Sequence, residues 1–208
     1  GISALSTMVL ANSDFFTGAF PAEYGNALSG VFDLNLRNGN YEKREYALQL
    51  GFLGAQAALE GPFKKGSEAS YLVNYRYSTL QLIDKMGLNF VESNVVPQWQ
   101  DLSFKLYFPT KKTGRFSVWG LGGTSIAGDA TERDTSAWEY RSDRFEENEY
   151  HTIGIIGLTH NLLFKNSKTY IKTTVSSSYT NDIIEQDTLN YDFDAFTISD
   201  NTFSYTSL

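Results

Sequence analysis

The sequence contains no cysteine, which excludes a disulfide framework and any thiol chemistry. It has only four prolines, and all four lie at predicted strand boundaries, where a β-sheet tolerates them. No run of apolar residues and glycine is longer than residues 153–158, whereas a helix that crosses a membrane needs about 20 residues. No signal peptide is present.

Positive charge is also scarce. Lysine and arginine together number 17 against 24 acidic residues, which gives a net charge of −7. Nucleic-acid binding depends on clustered Lys and Arg side chains that contact phosphates, so this balance argues against a nucleic-acid partner. We expect most of the acidic excess on solvated surface loops.

Patterns that carry catalysis, cofactors or metals are missing as well. His151 and His160 fall on opposite faces of one predicted strand, so they cannot share a metal ion. Residues 123–128 lack the Gly-x-Ser-x-Gly spacing of a nucleophile elbow, and no phosphate-binding glycine fingerprint occurs. The acidic residues between 182 and 194 lack the order of a calcium loop. We therefore predict a protein that is not an enzyme and holds no cofactor.

Aromatic residues are abundant, at 15% of the chain with 13 Tyr and 15 Phe. In residues 69–78 the apolar side chains Tyr71, Val73 and Tyr75 alternate with mostly polar ones, and residues 101–108 repeat the pattern. A period of two predicts strands with one apolar and one polar face. The predicted fold class is all-β, an antiparallel meander of long strands.

Six or seven such strands are predicted between residues 41 and 208. The first is read as one long strand over 45–60, with a bulge between Gly51 and Gly54 where the apolar parity changes. Short turns are predicted at residues 61–66, 109–114 and 165–168, and long connections at 84–97 and 127–149. Short turns at one end and long loops at the other are typical of transmembrane β-barrels.

The N-terminal part has a different residue pattern. Residues 2–11 predict a short strand that enters a compact turn and strand with the sequences Phe-Pro-Ala-Glu-Tyr-Gly at 20–25 and Leu-Ser-Gly-Val-Phe-Asp at 28–33. This order resembles the end of the plug domain of TonB-dependent outer-membrane receptors, in particular the Bacteroidetes branch. Leu-Glu-Gly-Pro-Phe at 59–63, followed by Asn-Tyr-Arg-Tyr-Ser at 74–78, resembles the first barrel hairpin of the same family.

The resemblance implies that residues 1–40 are the C-terminal part of a plug and that residues 41–208 are the first six or seven strands of a barrel of about 22 strands. It also implies a Gram-negative outer membrane, contact with its lipid, and TonB-driven uptake of a scarce solute such as an iron chelate, vitamin or glycan. Coupling to TonB would use parts of the parent protein outside this sequence, and we expect truncation to explain the missing export signal. The motif positions with a structural role are Phe20, Pro21, Tyr24, Gly25, Gly30 and Asp33.

Four residues are candidates for contact with a solute. Arg76 shares the polar parity of its strand and would face a barrel lumen, as would Asn74, Asp101 and Lys105 on their strands. Trp99, Trp138 and Tyr140 offer aromatic faces for stacking on a sugar or another solute. A solvated sheet face, an aromatic girdle and an external loop are the simpler interpretations of these positions.

Two other classes of function stay open. A complete small outer-membrane barrel with a structural or passive-pore role requires residues 196–208 to pair back to the first strand. A soluble all-β carbohydrate-binding module requires the face with Tyr71 and Tyr75 to pack against a second sheet. If the chain is instead a partial barrel, two strand edges stay unpaired, and the isolated fragment is expected to self-associate through them.

Overall fold

A computed structural model describes residues 6–18, 20–21, 24–25, 29–80, 97–129, 134–164, 168–192 and 194–207. The chain is all-β, and its described regular helices are two single 3-10 turns, Thr135–Ala137 and Arg141–Arg144. The described residues contain no helix of the length and apolarity that a membrane crossing requires.

Two antiparallel sheets make up the fold. Strands β1 (Asp14–Thr17) and β2 (Gly30–Asp33) form a small sheet in the N-terminal part. The large sheet has eight strands in strict chain order, each hydrogen-bonded to its sequence neighbours. These strands are β3 (Glu45–Leu50), β4 (Gly54–Pro62), β5 (Ser70–Ser78), β6 (Gln98–Pro109), β7 (Arg115–Asp129), β8 (Phe145–Leu163), β9 (Tyr170–Leu189) and β10 (Ala195–Ser207). The predicted antiparallel meander is confirmed.

The prediction of one long bulged strand over 45–60 is wrong. The chain reverses between β3 and β4, where Leu50 pairs with Ala55 and the Gly51 N–H donates to the Gly54 carbonyl at 2.9 Å. The parity change at the two glycines therefore marks a tight turn. The large sheet consequently has eight strands between residues 41 and 208 instead of six or seven.

The predicted strand over residues 2–11 is also wrong for the part of it that the structure describes. Residues 7–9 form a turn, and a single antiparallel bridge joins Leu10 to Leu36. The Arg37 N–H donates to the Val9 carbonyl at 2.9 Å, which holds the two ends of the N-terminal segment together.

The predicted short turns at 61–66 and 109–114 are confirmed in position. The predicted turn at 165–168 lies outside the described residues except for residue 168. The connections β4–β5, β6–β7 and β8–β9 all lie at the same end of the sheet. At the opposite end, the connection between β7 and β8 is shorter than predicted, since these strands continue to Asp129 and start at Phe145. The predicted loop at 84–97 lies almost wholly outside the described residues.

The register assigns each side chain of the large sheet to one of two faces. Partners across an antiparallel pair share a face, and successive residues alternate. We call the two faces outer and inner. One row of paired residues on the outer face is apolar across five strands: Tyr71, Leu106, Val118, Leu158 and Val175. The adjacent row on the inner face is polar on the same strands: Ser70, Tyr107, Ser117, Thr159 and Thr174.

Candidate functional site

On β5 and β6 the inner face is the buried one, although it is the more polar of the two. On β5, Ser70 and Asn74 are fully buried at 0% exposure, whereas Tyr75 and Tyr77 on the outer face are 42% and 39% exposed. Asp101 and Ser103 on β6 are buried on the same inner face. Globular domains bury their apolar face, so this sheet has the inverse arrangement.

Part of the N-terminal segment, residues 6–40, covers this inner face. The Arg37 guanidinium donates to both carboxylate oxygens of Glu60 on β4, each at 2.7 Å, and the Asn40 N–H donates to the same carboxylate at 2.7 Å. The Glu60 side chain is only 13% exposed. A bidentate Arg–carboxylate contact with a third donor is strongly directional, so it sets where the segment lies on the sheet.

Further contacts fix the segment along its length. The Lys105 ammonium on β6 donates to the Leu36 carbonyl at 2.5 Å, and the Gln56 amide on β4 donates to the Ser6 hydroxyl at 2.7 Å. Gly39 lies so close to β5 that a Cβ there would be 2.0 Å from the Tyr71 carbonyl oxygen. Only glycine permits this approach of two backbones.

Arg76 and Trp99, two of the predicted site residues, lie together on the inner face. The Arg76 guanidinium contacts Asp101 through Nε at 2.9 and 3.0 Å and through Nη2 at 2.7 Å. Its Cζ lies 5.3 Å from the centre of the Trp99 ring. The indole covers Gly54 so closely that a Cβ there would be 2.8 Å from the ring.

Several buried polar atoms of this face lack a hydrogen-bond partner within the described part of the chain: Trp99 Nε1, Asn74 Oδ1, Ser103 Oγ and Ser70 Oγ. Most buried polar groups in proteins are paired with protein or ordered water. This face is therefore built for polar contact rather than for a dry core.

A cavity of about 460 Å³ lies between residues 33–36 and the inner face of β6–β9. Its lining includes Asp33 from the predicted motif, the amines Lys105 and Lys172, and the indole of Trp119. The Trp119 Nε1–H donates to the Thr159 hydroxyl at 3.1 Å. The cavity has the size of a small-molecule site and offers both charge and an aromatic surface.

Trp138 and Tyr140, the other predicted ligand residues, lie in the β7–β8 connection. The Trp138 ring is 5.8 Å from the ring of Tyr191 in the β9–β10 turn, and the Arg144 guanidinium lies 5.8 Å from the same ring. Tyr140 is 69% exposed, and its backbone N–H donates to Asp143 at 2.8 Å. Trp138 and Tyr191 form a second aromatic group, on different elements from Arg76 and Trp99, and Tyr140 lies in the same connection as Trp138.

The motif residues form a small folded unit. The Tyr24 N–H donates to the Pro21 carbonyl at 3.0 Å, and the Tyr24 ring lies 5.7 Å from Phe16. Gly30 in β2 pairs with Thr17 in β1, and a Cβ on Gly30 would lie 3.2 Å from the Phe15 ring. Phe20 is half-buried, whereas Pro21 and Gly25 are exposed.

Sequence reasoning placed Asn74, Arg76, Asp101 and Lys105 on one face, and the register confirms this. It missed the ion pair between Arg37 and Glu60, because these residues lie in different predicted domains. The signal available in the sequence was a guanidinium, Arg37, and a carboxylate, Glu60, each within a polar stretch. Among the described residues, no group of three or more His, Asp or Glu side chains is placed to hold a metal ion.

Comparisons with protein-family models, with curated proteins and with solved structures found no match to this chain.

Proposed function

We propose that this chain is part of an outer-membrane receptor of the TonB-dependent class, with residues 1–40 as the end of the plug and residues 41–208 as barrel strands. The observation that carries the proposal is the inverted sheet. On β4–β6 its polar face is covered by the plug-like segment, while its apolar face is exposed. A membrane barrel has this distribution because lipid lies outside and a wet lumen lies inside.

The extent of the exposed apolar surface supports the proposal. Monomeric soluble proteins rarely expose large contiguous apolar patches, which mark interaction or membrane surfaces. On the outer face, apolar side chains that are at least 40% exposed occur on six of the eight strands: Tyr46, Leu48, Leu59, Tyr75, Leu102, Ile156, Leu158 and Val175.

The height of this apolar band fits a bilayer. It ends at a polar row that runs through Gln100, Thr124, Thr152 and Asn181. On β6, the residues between Gln100 and Thr110 are 101–109, nine in all. A tilted transmembrane strand needs about 9–11 residues, so the band is tall enough to cross the hydrocarbon core.

Aromatic side chains border the band at the end with short turns. Phe63 lies 5.1 Å from Phe108 and 5.5 Å from Tyr71, and all three are at or near the β4–β5 and β6–β7 turns. Membrane barrels carry aromatic girdles at both interfaces. The cluster fits an interface at this end, and the shortness of the turns supports assigning it to the periplasmic side.

In this proposal the solute is a scarce iron chelate, vitamin or glycan, and it meets two surfaces. The first is the aromatic group of Trp138, Tyr140 and Tyr191 in the connections opposite the short turns. The second is the inner face at Arg76 and Trp99. TonB would act through parts of the parent protein outside this sequence.

The two rival functions are less well supported. The strand order is linear, and among the described residues β10 pairs only with β9 and β3 only with β4, so the first and last strands do not close a small barrel. No second sheet covers Tyr75 and Tyr77 within the described part of the chain, as a soluble module would require. A glycan titration followed by intrinsic fluorescence distinguishes the module further, since we expect no tight binding by this fragment.

The open edges carry a prediction about the fragment itself. Unpaired strands recruit other strands, so we expect the isolated chain to self-associate through β3 and β10. A stable monomer in size-exclusion chromatography, with both edges solvated, would contradict this expectation.

Vesicle flotation with a matched pair of variants tests the membrane proposal. Leu106→Arg places a charge on the outer face near the middle of the band, where it costs about 2–4 kcal/mol at the bilayer midplane. Thr174→Arg places the same charge on the exposed inner face of β9. We expect the unmodified chain and the Thr174→Arg variant to float with phospholipid vesicles to the top of the gradient. Most of the Leu106→Arg variant should stay at the bottom. Equal flotation of both variants, or of neither protein, would contradict the proposal.

A further inference from the structure

A histidine on β8 has a carboxylate at each of its two ring nitrogens. His151 Nδ1 lies 2.9 Å from Asp182 Oδ1 on β9, and His151 Nε2 lies 3.3 Å from Glu149 Oε2 on its own strand. His151 is opposite Asp182 in the register, one residue beyond Thr152 of the polar row that ends the apolar band. The three side chains, which we call the His151 cluster, therefore lie outside the proposed membrane-spanning part.

The chemistry of imidazole decides what this geometry means. A neutral ring has one N–H donor and one nitrogen lone pair, whereas an ionised carboxylate only accepts hydrogen bonds. With a carboxylate at each nitrogen, a neutral His151 satisfies one contact and sets two lone pairs against each other at the other. The doubly protonated ring donates to both.

The described residues around the His151 cluster add negative charge and place no other basic side chain against its carboxylates. Glu147 follows on the same face of β8 and accepts from the Gln186 amide at 3.4 Å. On β7 the facing residues are Ser125 and Ala127, and on β10 the nearest titratable group on this face is Tyr205. The nearest described base along the chain, Arg144, lies over the ring of Tyr191.

We propose that the His151 cluster is a proton-binding site, in which an imidazolium held between Glu149 and Asp182 ties β8 to β9 at the end of the sheet with the long connections. Loss of the proton leaves the Glu149 and Asp182 carboxylates beside a neutral ring and removes the cross-strand ion pair. The end of the sheet that carries Trp138 and Tyr191 is then more firmly held in mildly acidic than in alkaline solution.

The direction of titration agrees with this geometry. The hydrogen bond to Asp182 is the largest cause that raises the pKa of His151 above its ordinary value of 6.5. Burial opposes it, and the hydrogen bond to Glu149 adds a smaller increase. A raised folded-state pKa means that the contribution to stability is complete below about pH 6.5 and is lost as the pH rises through the folded-state value.

A pH titration of the imidazole signals by NMR tests the site on the full chain, in detergent micelles or in buffer, whichever keeps it folded. The sequence has only two histidines, and His160→Gln assigns their signals. His160 is the internal reference, because its Nε2 has one neutral partner, the Thr113 carbonyl oxygen at 2.6 Å. This measurement does not depend on membrane insertion, so its failure is distinguishable from failure of the proposed function.

We expect the His151 midpoint to lie above 6.5, and the backbone amides of Glu149 and Asp182 to shift with the same midpoint. In the double variant Glu149→Gln/Asp182→Asn we expect the His151 midpoint to fall. A His151 midpoint at or below 6.5 in the unmodified chain would overturn the proposal even if the variant does not fold. A midpoint that the double substitution leaves unchanged would also overturn it.

Discussion

The contact between Arg37 and Glu60 gives the sharpest prediction about how the N-terminal segment is held. Glu60→Gln keeps the shape of the side chain but removes its charge and replaces one acceptor oxygen by an NH2 group. That group faces either the Arg37 guanidinium or the Asn40 N–H, both of which are donors. At least one of three hydrogen bonds is therefore lost.

The free energy that this substitution removes can be estimated from how deeply the Arg37–Glu60 ion pair is buried. Breaking a fully buried ion pair costs about 3–5 kcal/mol, and exposed pairs contribute about 0–1 kcal/mol. Glu60 is 13% exposed and Arg37 is 34% exposed, so the pair lies between these limits. We expect a loss of about 2 kcal/mol, which corresponds to a roughly thirtyfold larger population with the segment detached.

Hydrogen exchange followed by mass spectrometry measures this population directly. The peptide over residues 35–40 should exchange roughly thirtyfold faster in Glu60→Gln, by the free-energy argument above, while a peptide within β6 keeps its rate. Lys43→Ala is the control, because it breaks the exposed ion pair with Glu45, whose side chains are 70% and 42% exposed. If Glu60→Gln accelerates exchange no more than Lys43→Ala does, the reasoning about the covered face is wrong.

Three further substitutions test other parts of the account. Gly39→Ala puts a Cβ 2.0 Å from the Tyr71 carbonyl oxygen and should destabilise the docked segment by about 1–3 kcal/mol in the same exchange assay, whereas Gly154→Ala meets open space and should not. Lys105→Met removes a charged donor to the segment and should cost about 1.5–3 kcal/mol; unchanged exchange over 35–40 would contradict this. Gln49→Lys charges the edge strand β3 and should reduce self-association in sedimentation velocity, and equal association would exclude this edge as the contact.

The faces of the strands were predictable because the alternation of side chains is local. Tyr71, Val73 and Tyr75 alternate with Ser70, Asn74 and Arg76 in the sequence itself, and the structure keeps this order. The polar inner face was expected on the same grounds. That part of the N-terminal segment covers it was implied only by the resemblance to a plug.

The turn between β3 and β4 was missed because its residues, Gly51 to Gly54, include no Asn, Asp or Pro that would signal a reversal. β9 continues to Leu189 through an acidic stretch, and nothing in the composition of that stretch indicates a strand. Backbone pairing with β8 and β10 holds this stretch as a strand whatever its side chains.

Contacts between strands required the register, which a single sequence does not determine. Arg37 with Glu60 and His151 with Asp182 each join residues more than 20 positions apart. The sequence showed that such charged residues exist on suitable faces. It did not show which of them are opposite each other.

The most direct test of the central claim is an accessibility scan of β5 in lipid bilayers. The chain has no cysteine, so single cysteines at positions 70–78 can be spin-labelled one at a time. The account predicts that labels at 71, 73, 75 and 77 collide with oxygen dissolved in the bilayer, while labels at the even positions between them are shielded. Odd positions that are shielded from oxygen, or a folded lipid-free chain in which they are buried, would contradict it.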